Sequence, residues 1–159
     1  MPVIIDGHNL LHAIQKAEEN SQQLNDVQLC LIVGRFLKLT GEKGQIIFDG
    51  TGPRDKSGFD NISNLEVFFA GAGSDTDTVI EDKIKASTAP KRLTIVSSDR
   101  RLRKAARLRK AAAIKSEDFW RNLQRRFLRK KAPKEPAEKR LGLTESETQQ
   151  WLKFFGIEQ

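Results

Sequence analysis

Short apolar runs separated by helix-like segments constrain the fold of this chain more than any other feature. The runs are PVIID at 2–6, QIIFDG at 45–50, NLEVFFA at 64–70, KRLTIVSS at 91–98 and a shorter fifth, AAIKS, at 112–116. Runs of this length bounded by turn residues are typical of buried strands. The helical patterns between them imply crossover connections. We therefore predict an α/β fold, a Rossmann-like three-layer sandwich with a central, mainly parallel sheet of four or five strands.

Four stretches have the apolar spacing of amphipathic helices, namely 24–41, 74–87, 98–112 and 116–131. In the first, Asn25 is the predicted N-cap and Gly41 follows the last turn. We interpret the segment directly after the first strand as a turn. The stretch 51–61 is dense in Gly, Pro, Asp and Ser, which predicts a long polar loop.

A change in composition near residue 131 predicts a domain boundary. Residues 132–142, APKEPAEKRLG, are typical of a linker, and TESETQQWLKFFG at 144–156 has the pattern of a short capped helix. We therefore divide the chain into one domain at 1–131 and a tail at 132–159. We expect the apolar face of the tail helix to pack on the domain, with binding to a partner as the alternative.

Acidic and basic residues are segregated along the chain. Residues 1–90 hold 8 Lys and Arg against 13 Asp and Glu, whereas residues 91–159 hold 20 against 8. Within 100–131, 14 basic residues are opposed only by Glu117 and Asp118. Such a stretch is typical either of a solvated helix face or of a surface that binds a polyanion, and its density favours nucleic acid.

Cysteine usage and hydropathy indicate the compartment. Cys30, the single cysteine, lies in an apolar helical pattern, so we expect a buried hydrophobic residue in a reducing environment. No apolar run approaches the roughly 18 residues needed to span a bilayer, and no basic-then-apolar leader precedes the first strand. We expect a soluble, cytoplasmic protein with no membrane partner, and the sequence carries no signal of its oligomeric state.

Acidic residues recur where the predicted strands end. Asp6 ends the first strand, Asp49 ends the second and Asp99 follows the fourth, while the helix after the third strand carries Asp75, Asp77 and Glu81. The carboxyl ends of parallel strands meet at one edge of a sheet, so we expect at least four carboxylates there. Taken singly, each acid is typical of a helix cap or a turn. Asp6 is the exception, because we predict no helix after it that it would cap.

Carboxylates gathered this closely need a compensating cation. Oxygen ligands, without a Cys pair or a His cluster, select Mg²⁺ or Mn²⁺. A divalent ion beside nucleic acid indicates hydrolysis of a phosphodiester bond. We expect Asn9 either to orient a ligating carboxylate or to contact the phosphate.

Three motifs also occur in the order and spacing of a known family. VIIDGHN at 3–9 resembles the DGxN opening of NYN domains, SDTDTVIEDKI at 74–84 resembles their central acidic helix, and IVSSDRRLR at 95–103 resembles their SSD strand exit. The resemblance spans about residues 2–130 and is strongest to the YacP-like branch of NYN domains, relatives of the PIN-domain nucleases. It implies a PIN-like version of the predicted fold and a metal-dependent ribonuclease activity.

The resemblance also implies roles for particular residues. Carried over by position, Asp6, Asp77 and Asp99 are the metal ligands. With the family's asparagine and a further acid of the central helix, the implied catalytic set is Asp6, Asn9, Asp77, Glu81 and Asp99. Asp49 and Asp75 are weaker candidates, because acids at those places vary in the family. His8 stands where an aromatic residue, often tyrosine, is usual, and we interpret it as a neutral substitution that leaves open a changed substrate contact.

These observations lead to one main functional hypothesis and two alternatives. We predict an endoribonuclease that cleaves single-stranded or loop RNA with Mg²⁺ or Mn²⁺ and holds the RNA backbone through Arg100, Arg101, Arg103, Lys104, Arg107, Arg125 and Arg126. The first alternative is a non-catalytic protein that binds structured RNA or the ribosome. A phosphohydrolase acting on small esters is disfavoured, because Asp6 is followed by Gly7 and His8 rather than by the second acid of a D-x-D pair.

Overall fold

A five-stranded parallel sheet with helices on both faces forms the centre of the structure, a computed structural model that describes residues 2–17 and 24–131. The elements, in chain order, are β1 (Pro2–Asp6), α1 (Gly7–Ala17), α2 (Asp26–Thr40), β2 (Lys43–Phe48), β3 (Leu65–Phe69), α3 (Thr76–Ala86), β4 (Thr94–Val96), α4 (Arg100–Leu108), β5 (Ala112–Ile114) and α5 (Ser116–Lys131). The predicted linker and tail helix lie outside the described residues.

The strands lie side by side in the order β3, β2, β1, β4, β5, and every neighbouring pair is parallel. The central strand β1 pairs Ile4 with Gln45 on one side and with Ile95 on the other. An isolated antiparallel bridge joins Gly50 to Gly71 beyond the ends of β2 and β3. The predicted α/β fold class is therefore confirmed, with five strands.

Two hydrophobic clusters, one on each face of the sheet, hold the helices in place. Val3 and Ile5 of β1 belong to the cluster beneath α1, α2 and α5, whereas Ile4 belongs to the cluster beneath α3 and α4. Burial on both faces explains why β1 is a continuous apolar run rather than an alternating one. Cys30 is fully buried in the first cluster, as predicted, and burial raises the pKa of its thiol to about 12.

The segment after β1 is a helix, so the predicted turn is wrong. Leu10, Ala13 and Ile14 are buried along one side of α1, with the spacing of an amphipathic helix. The helix starts directly at Gly7, where a side chain has no room. A Cβ atom on Gly7 would lie 2.5 Å from two ring carbons of Phe48.

The other elements depart less from the prediction. α2 has the predicted N-cap at Asn25, which forms a reciprocal capping box with Gln28, and it ends at Gly41 with a left-handed φ of 74°. β4 is shorter than its apolar run, because a 3₁₀ turn occupies Pro90–Arg92. Across residues 2–17 and 24–131, no helix is both long and apolar enough to cross a membrane.

Candidate functional site

The loops at the carboxyl ends of the strands bring the predicted acidic residues to one edge of the sheet. Because β1 lies between β2 and β4, Asp6 is flanked by Asp49 after β2 and by the 97–99 segment after β4. Asp77, in the first turn of α3, reaches the same edge. The strand order changes direction between β1 and β4, which is where open α/β sheets form their binding crevice.

Asp6 is a buried carboxylate that accepts hydrogen bonds from two donors within the described part of the chain. Its side chain belongs to a residue that is 7% exposed, and it accepts the backbone N–H of Asn9 at 3.4 Å and the hydroxyl of Ser97 at 3.3 Å. The pKa of Asp6 is raised to about 6, chiefly by burial and to a smaller extent by the charges of Asp49 and Asp99, while the two hydrogen bonds oppose the increase. The bond from Asn9 places Asp6 at the N-cap position of α1. The expectation that Asp6 has no helix to cap is therefore wrong.

Asp77 belongs to the same acidic cluster as Asp6 and Asp99. The pKa of Asp77 is raised to about 6, chiefly by burial, then by the charges of Asp99 and Asp6 and by a hydrogen bond with Asp99. Asp99 is the N-cap of α4, where it accepts the backbone N–H of Arg101 at 2.8 Å. The structure thus brings the three predicted ligands together, and their role as ligands stays a prediction.

Arg101 lies among these acids. Its Nε donates to Glu81, one turn after Asp77 on α3, and its Nη1 is 3.9 Å from the Asp77 carboxylate. A hydrogen bond and ion pair with Glu81 raise the pKa of Arg101 above its ordinary value. Within residues 2–17 and 24–131, no three Asp, Glu, His or Cys side chains are arranged so that they could hold one ion.

Asn9, in α1, links the loop after β4 and the start of α5 through its side chain. Its Oδ1 accepts the backbone N–H of Ser98 at 3.0 Å and the hydroxyl of Ser116 at 2.6 Å. Ser98 in turn donates its hydroxyl to Glu117 at 2.8 Å. The amide oxygen therefore fixes the loop after β4 and the start of α5 relative to β1.

Asp49 and Asp75 have local structural partners. Asp49 accepts the hydroxyl of Thr76 at 2.6 Å and its backbone N–H at 3.0 Å, and these bonds lower the pKa of Asp49. Asp75 is the N-cap of α3, since it accepts the backbone N–H of Thr78 at 2.7 Å, and this bond likewise lowers the pKa of Asp75. Both acids are therefore ionised anchors for the start of α3 and weaker candidates for a ligand role.

His8 contacts the rim of this site. Its Nδ1 accepts the backbone N–H of Asp49 at 3.4 Å, and its ring lies edge-on to Phe48 with 5.1 Å between centroids. The opposite nitrogen is 3.9 Å from the carboxylate of Asp26. His8 thus joins the start of α1 to the end of β2 and the start of α2.

Comparison with known proteins establishes the family. The YacP-like NYN domain family matches residues 3–154, which is nearly the whole chain. The chain belongs to the YacP-like NYN family. The match extends beyond the motifs at 3–103 into the tail, and none of the curated proteins matches the chain.

Solved structures support the same fold for this YacP-like NYN chain. The crystal structure of Rae1 (YacP) from Bacillus subtilis has a TM-score of 0.69 at 19% identity, with 98% of this chain and 92% of that chain covered. A point mutant of the same Bacillus subtilis protein gives a TM-score of 0.61 at 16% identity, over 89% of this chain and 90% of that one. The fold is therefore shared with Rae1 (YacP) from Bacillus subtilis.

The basic residues of α4 and α5 in this YacP-like NYN domain lie in the two helical layers, on opposite faces of the sheet. α4 packs beside α3 on one face of the sheet, whereas α5 packs against α1 and α2 on the other. On α4, Arg100, Lys104 and Arg107 are exposed, while Arg103 is partly buried. The basic residues of α4 and those of α5 therefore lie on opposite faces of the sheet.

On α5 the two predicted RNA-binding residues differ. Arg125 is exposed, whereas Arg126 is partly buried and its Nη2 donates to the carbonyl of Leu39 at 3.4 Å. Arg126 thus ties α5 to α2. Of the α5 pair, Arg125 is the better placed to meet a ligand.

Several site residues were not predicted from the sequence. Ser97 donates to Asp6, Thr76 donates to Asp49, and Ser116 and Glu117 extend the network of Asn9 and Ser98. The serines that precede Asp99 could have been predicted as site residues, because hydroxyl groups at the end of a strand can donate hydrogen bonds to nearby carboxylates. The link from Asn9 to Ser116 spans 107 residues, and no local pattern indicates it.

Proposed function

We propose that this protein is a metal-dependent endoribonuclease that hydrolyses phosphodiester bonds in single-stranded or loop RNA. One observation carries the proposal: Asp99 lies close enough to raise the pKa of both Asp6 and Asp77. Three carboxylates that repel one another at a crevice favour a cation among them. Family membership supports the same conclusion.

The donor set fits Mg²⁺ or Mn²⁺. Asp6, Asp77 and Asp99 would hold the ion, with Glu81 as the next oxygen donor, and hard oxygen ligands suit these cations. A divalent ion held there would supply a water molecule of lowered pKa and would offset negative charge at the phosphate. Asn9 keeps the loop that carries Asp99 at a fixed distance from β1 through Ser98.

RNA would approach over the amino end of α4. Arg100 is exposed there, and Lys104 and Arg107 are exposed further along the helix, with Arg107 in its last turn. These side chains supply positive charge to the phosphates. Bases splayed out of a single strand fit a crevice above a sheet more readily than a duplex does. We also propose a cytoplasmic location, because the one cysteine is unpaired and buried.

A second candidate function is binding of RNA or of the ribosome without cleavage. The observation that favours it is the position of Arg101, which pairs with Asp77 and Glu81. In this alternative the guanidinium is the permanent counterion of the acids. The basic surface of α4 would then be the functional part of the molecule.

The two functions are separated by an assay with labelled single-stranded RNA and DNA of the same sequence. Wild type, Asp6→Asn and the control Asp82→Asn, an exposed acid on α3, are incubated with Mn²⁺, Mg²⁺ or EDTA. We expect wild type and Asp82→Asn to cleave RNA only with a metal, and Asp6→Asn to lose cleavage by at least about 100-fold while binding RNA as well as wild type. Metal-independent cleavage, or full activity of Asp6→Asn, would contradict the mechanism. Tight binding with no cleavage by wild type would favour the alternative.

A further inference from the structure

Arg101 differs from the other basic residues of α4 in what it contacts. Its guanidinium reaches across from α4 to α3, where Nε donates to Glu81 and Nη2 is 3.4 Å from the hydroxyl of Thr78. Its Nη1 lies 3.9 Å from Asp77. Its own backbone N–H binds Asp99. One residue therefore contacts three acids of the site.

Arg101 contacts the same two carboxylates, those of Asp77 and Glu81, that we propose as donors to a divalent ion. Nη1 of Arg101 lies 3.9 Å from the Asp77 carboxylate and Nε donates to Glu81, so the guanidinium stands beside carboxylate oxygens that an ion held by Asp77 and Glu81 would use. A guanidinium and a divalent cation cannot occupy the same side of these carboxylates, because their charges repel and their positions overlap. The two cations are therefore competitors for Asp77 and Glu81.

Removing one cation should change the affinity for the other by a measurable factor. The side chain of Asp77 is 28% exposed and that of Glu81 is 20% exposed, so the ion pairs are only partly screened by solvent. The side chain of Arg101 is 50% exposed, which leaves it room to swing outward. The free-energy cost of metal binding therefore comes from displacing a partly screened ion pair. The hydrophobic core does not have to open.

We propose that Arg101 is an internal counterion that competes with the divalent cation for Asp77 and Glu81 and so weakens metal binding to the site. This inference rests on the proposed function, since it concerns the same acidic cluster. It changes the role of Arg101 from an RNA-binding residue to one that sets metal affinity. Arg100, Lys104 and Arg107 retain the predicted role in RNA binding.

The test is Mn²⁺ binding to the full chain without RNA, followed by the electron paramagnetic resonance signal of the free ion. Arg101→Gln should bind Mn²⁺ about tenfold more tightly than wild type, because the competing charge is gone. Arg107→Gln removes the same charge from an exposed position on the same helix. Its Mn²⁺ affinity should stay within about twofold of that of wild type, since salt screens the more distant charge. Arg101→Lys keeps the charge but loses the planar guanidinium, so its Mn²⁺ affinity should lie between those of Arg101→Gln and wild type.

Thermal unfolding provides a second readout that a merely structural role would not reproduce. In EDTA, Arg101→Gln should melt at a lower temperature than wild type, because the acids lose their counterion. With saturating Mn²⁺ its melting temperature should rise by more than that of wild type. A structural arginine would lower the melting temperature in both conditions without a gain in Mn²⁺ affinity.

The outcomes distinguish this inference from the proposed function. If Arg101→Gln and Arg101→Lys bind Mn²⁺ no more tightly than wild type, while Asp99→Asn abolishes binding, the inference is overturned and the metal site stands. If neither wild type nor any variant binds Mn²⁺ at millimolar concentration, the metal site is wrong and the inference falls with it. Tighter binding by both Arg101 variants, but not by Arg107→Gln, supports the inference.

Discussion

The burial of Asp6 has a consequence for stability that can be measured without RNA. A pKa of about 6 in the folded protein, against an ordinary value of 3.8, means that folding disfavours the ionised carboxylate by about 3 kcal/mol. The sign follows from the direction of the shift. Protonated Asp6 carries no penalty below pH 3.8, the penalty grows as the pH rises toward 6, and it is complete at neutral pH. Asp6→Asn should therefore raise the free energy of unfolding in EDTA at pH 7 by about 2–3 kcal/mol.

Urea denaturation of wild type, Asp6→Asn and Asp82→Asn in EDTA, at several pH values between 4 and 7, tests this reasoning. The gain from Asp6→Asn should shrink toward zero near pH 4, where wild-type Asp6 is already protonated. Asp82→Asn, which changes an exposed acid, should shift stability by less than about 0.5 kcal/mol at every pH. A destabilised Asp6→Asn, or a gain that does not vary with pH, would refute the argument that burial and like charges raise the pKa of Asp6.

Two further predictions concern the network and the basic surface. Asn9→Ala leaves Ser98 N–H and the Ser116 hydroxyl without their acceptor, and should lower the free energy of unfolding by about 1–3 kcal/mol in urea. The exposed control Asn122→Ala should change it little, and equal losses would show that Asn9 has no special role. The double variant Lys104→Gln, Arg107→Gln should reduce the slope of log affinity against log salt for single-stranded RNA by about 1.4 in filter binding. An unchanged slope would exclude these residues from phosphate contact.

Local patterns predicted most of the helices and strands. The capping pair Asn25 and Gln28, Gly41 at the end of α2, and the apolar runs of β1 and β3 each act within a few residues, so sequence alone shows them. α1 was missed although Leu10, Ala13 and Ile14 have helical spacing. The reason is that Gly7 and Asn9, interpreted as turn residues, here begin a helix that packs against β2.

The acidic residues of the site could be predicted from the sequence, but their hydrogen-bond partners could not. Asp6, Asp77 and Asp99 could be assigned to one edge because parallel strands share a carboxyl end. The partners of these acids could not, because hydrogen bonds such as that from Ser97 to Asp6 join segments 91 residues apart. Arg101 was predicted to bind RNA from its place in a basic stretch, yet its side chain turns to Glu81 across 20 residues.

By itself the sequence determined the strands, the helices other than α1, and the acids that stand where strands end, because hydrophobic periodicity and capping are properties of neighbouring residues. Only the tertiary structure decided the pKa of each acid, the separation of the basic residues onto two faces and the pairing of Arg101. Burial and Coulomb interaction depend on distances in space, and those distances are set when the sheet orders its strands.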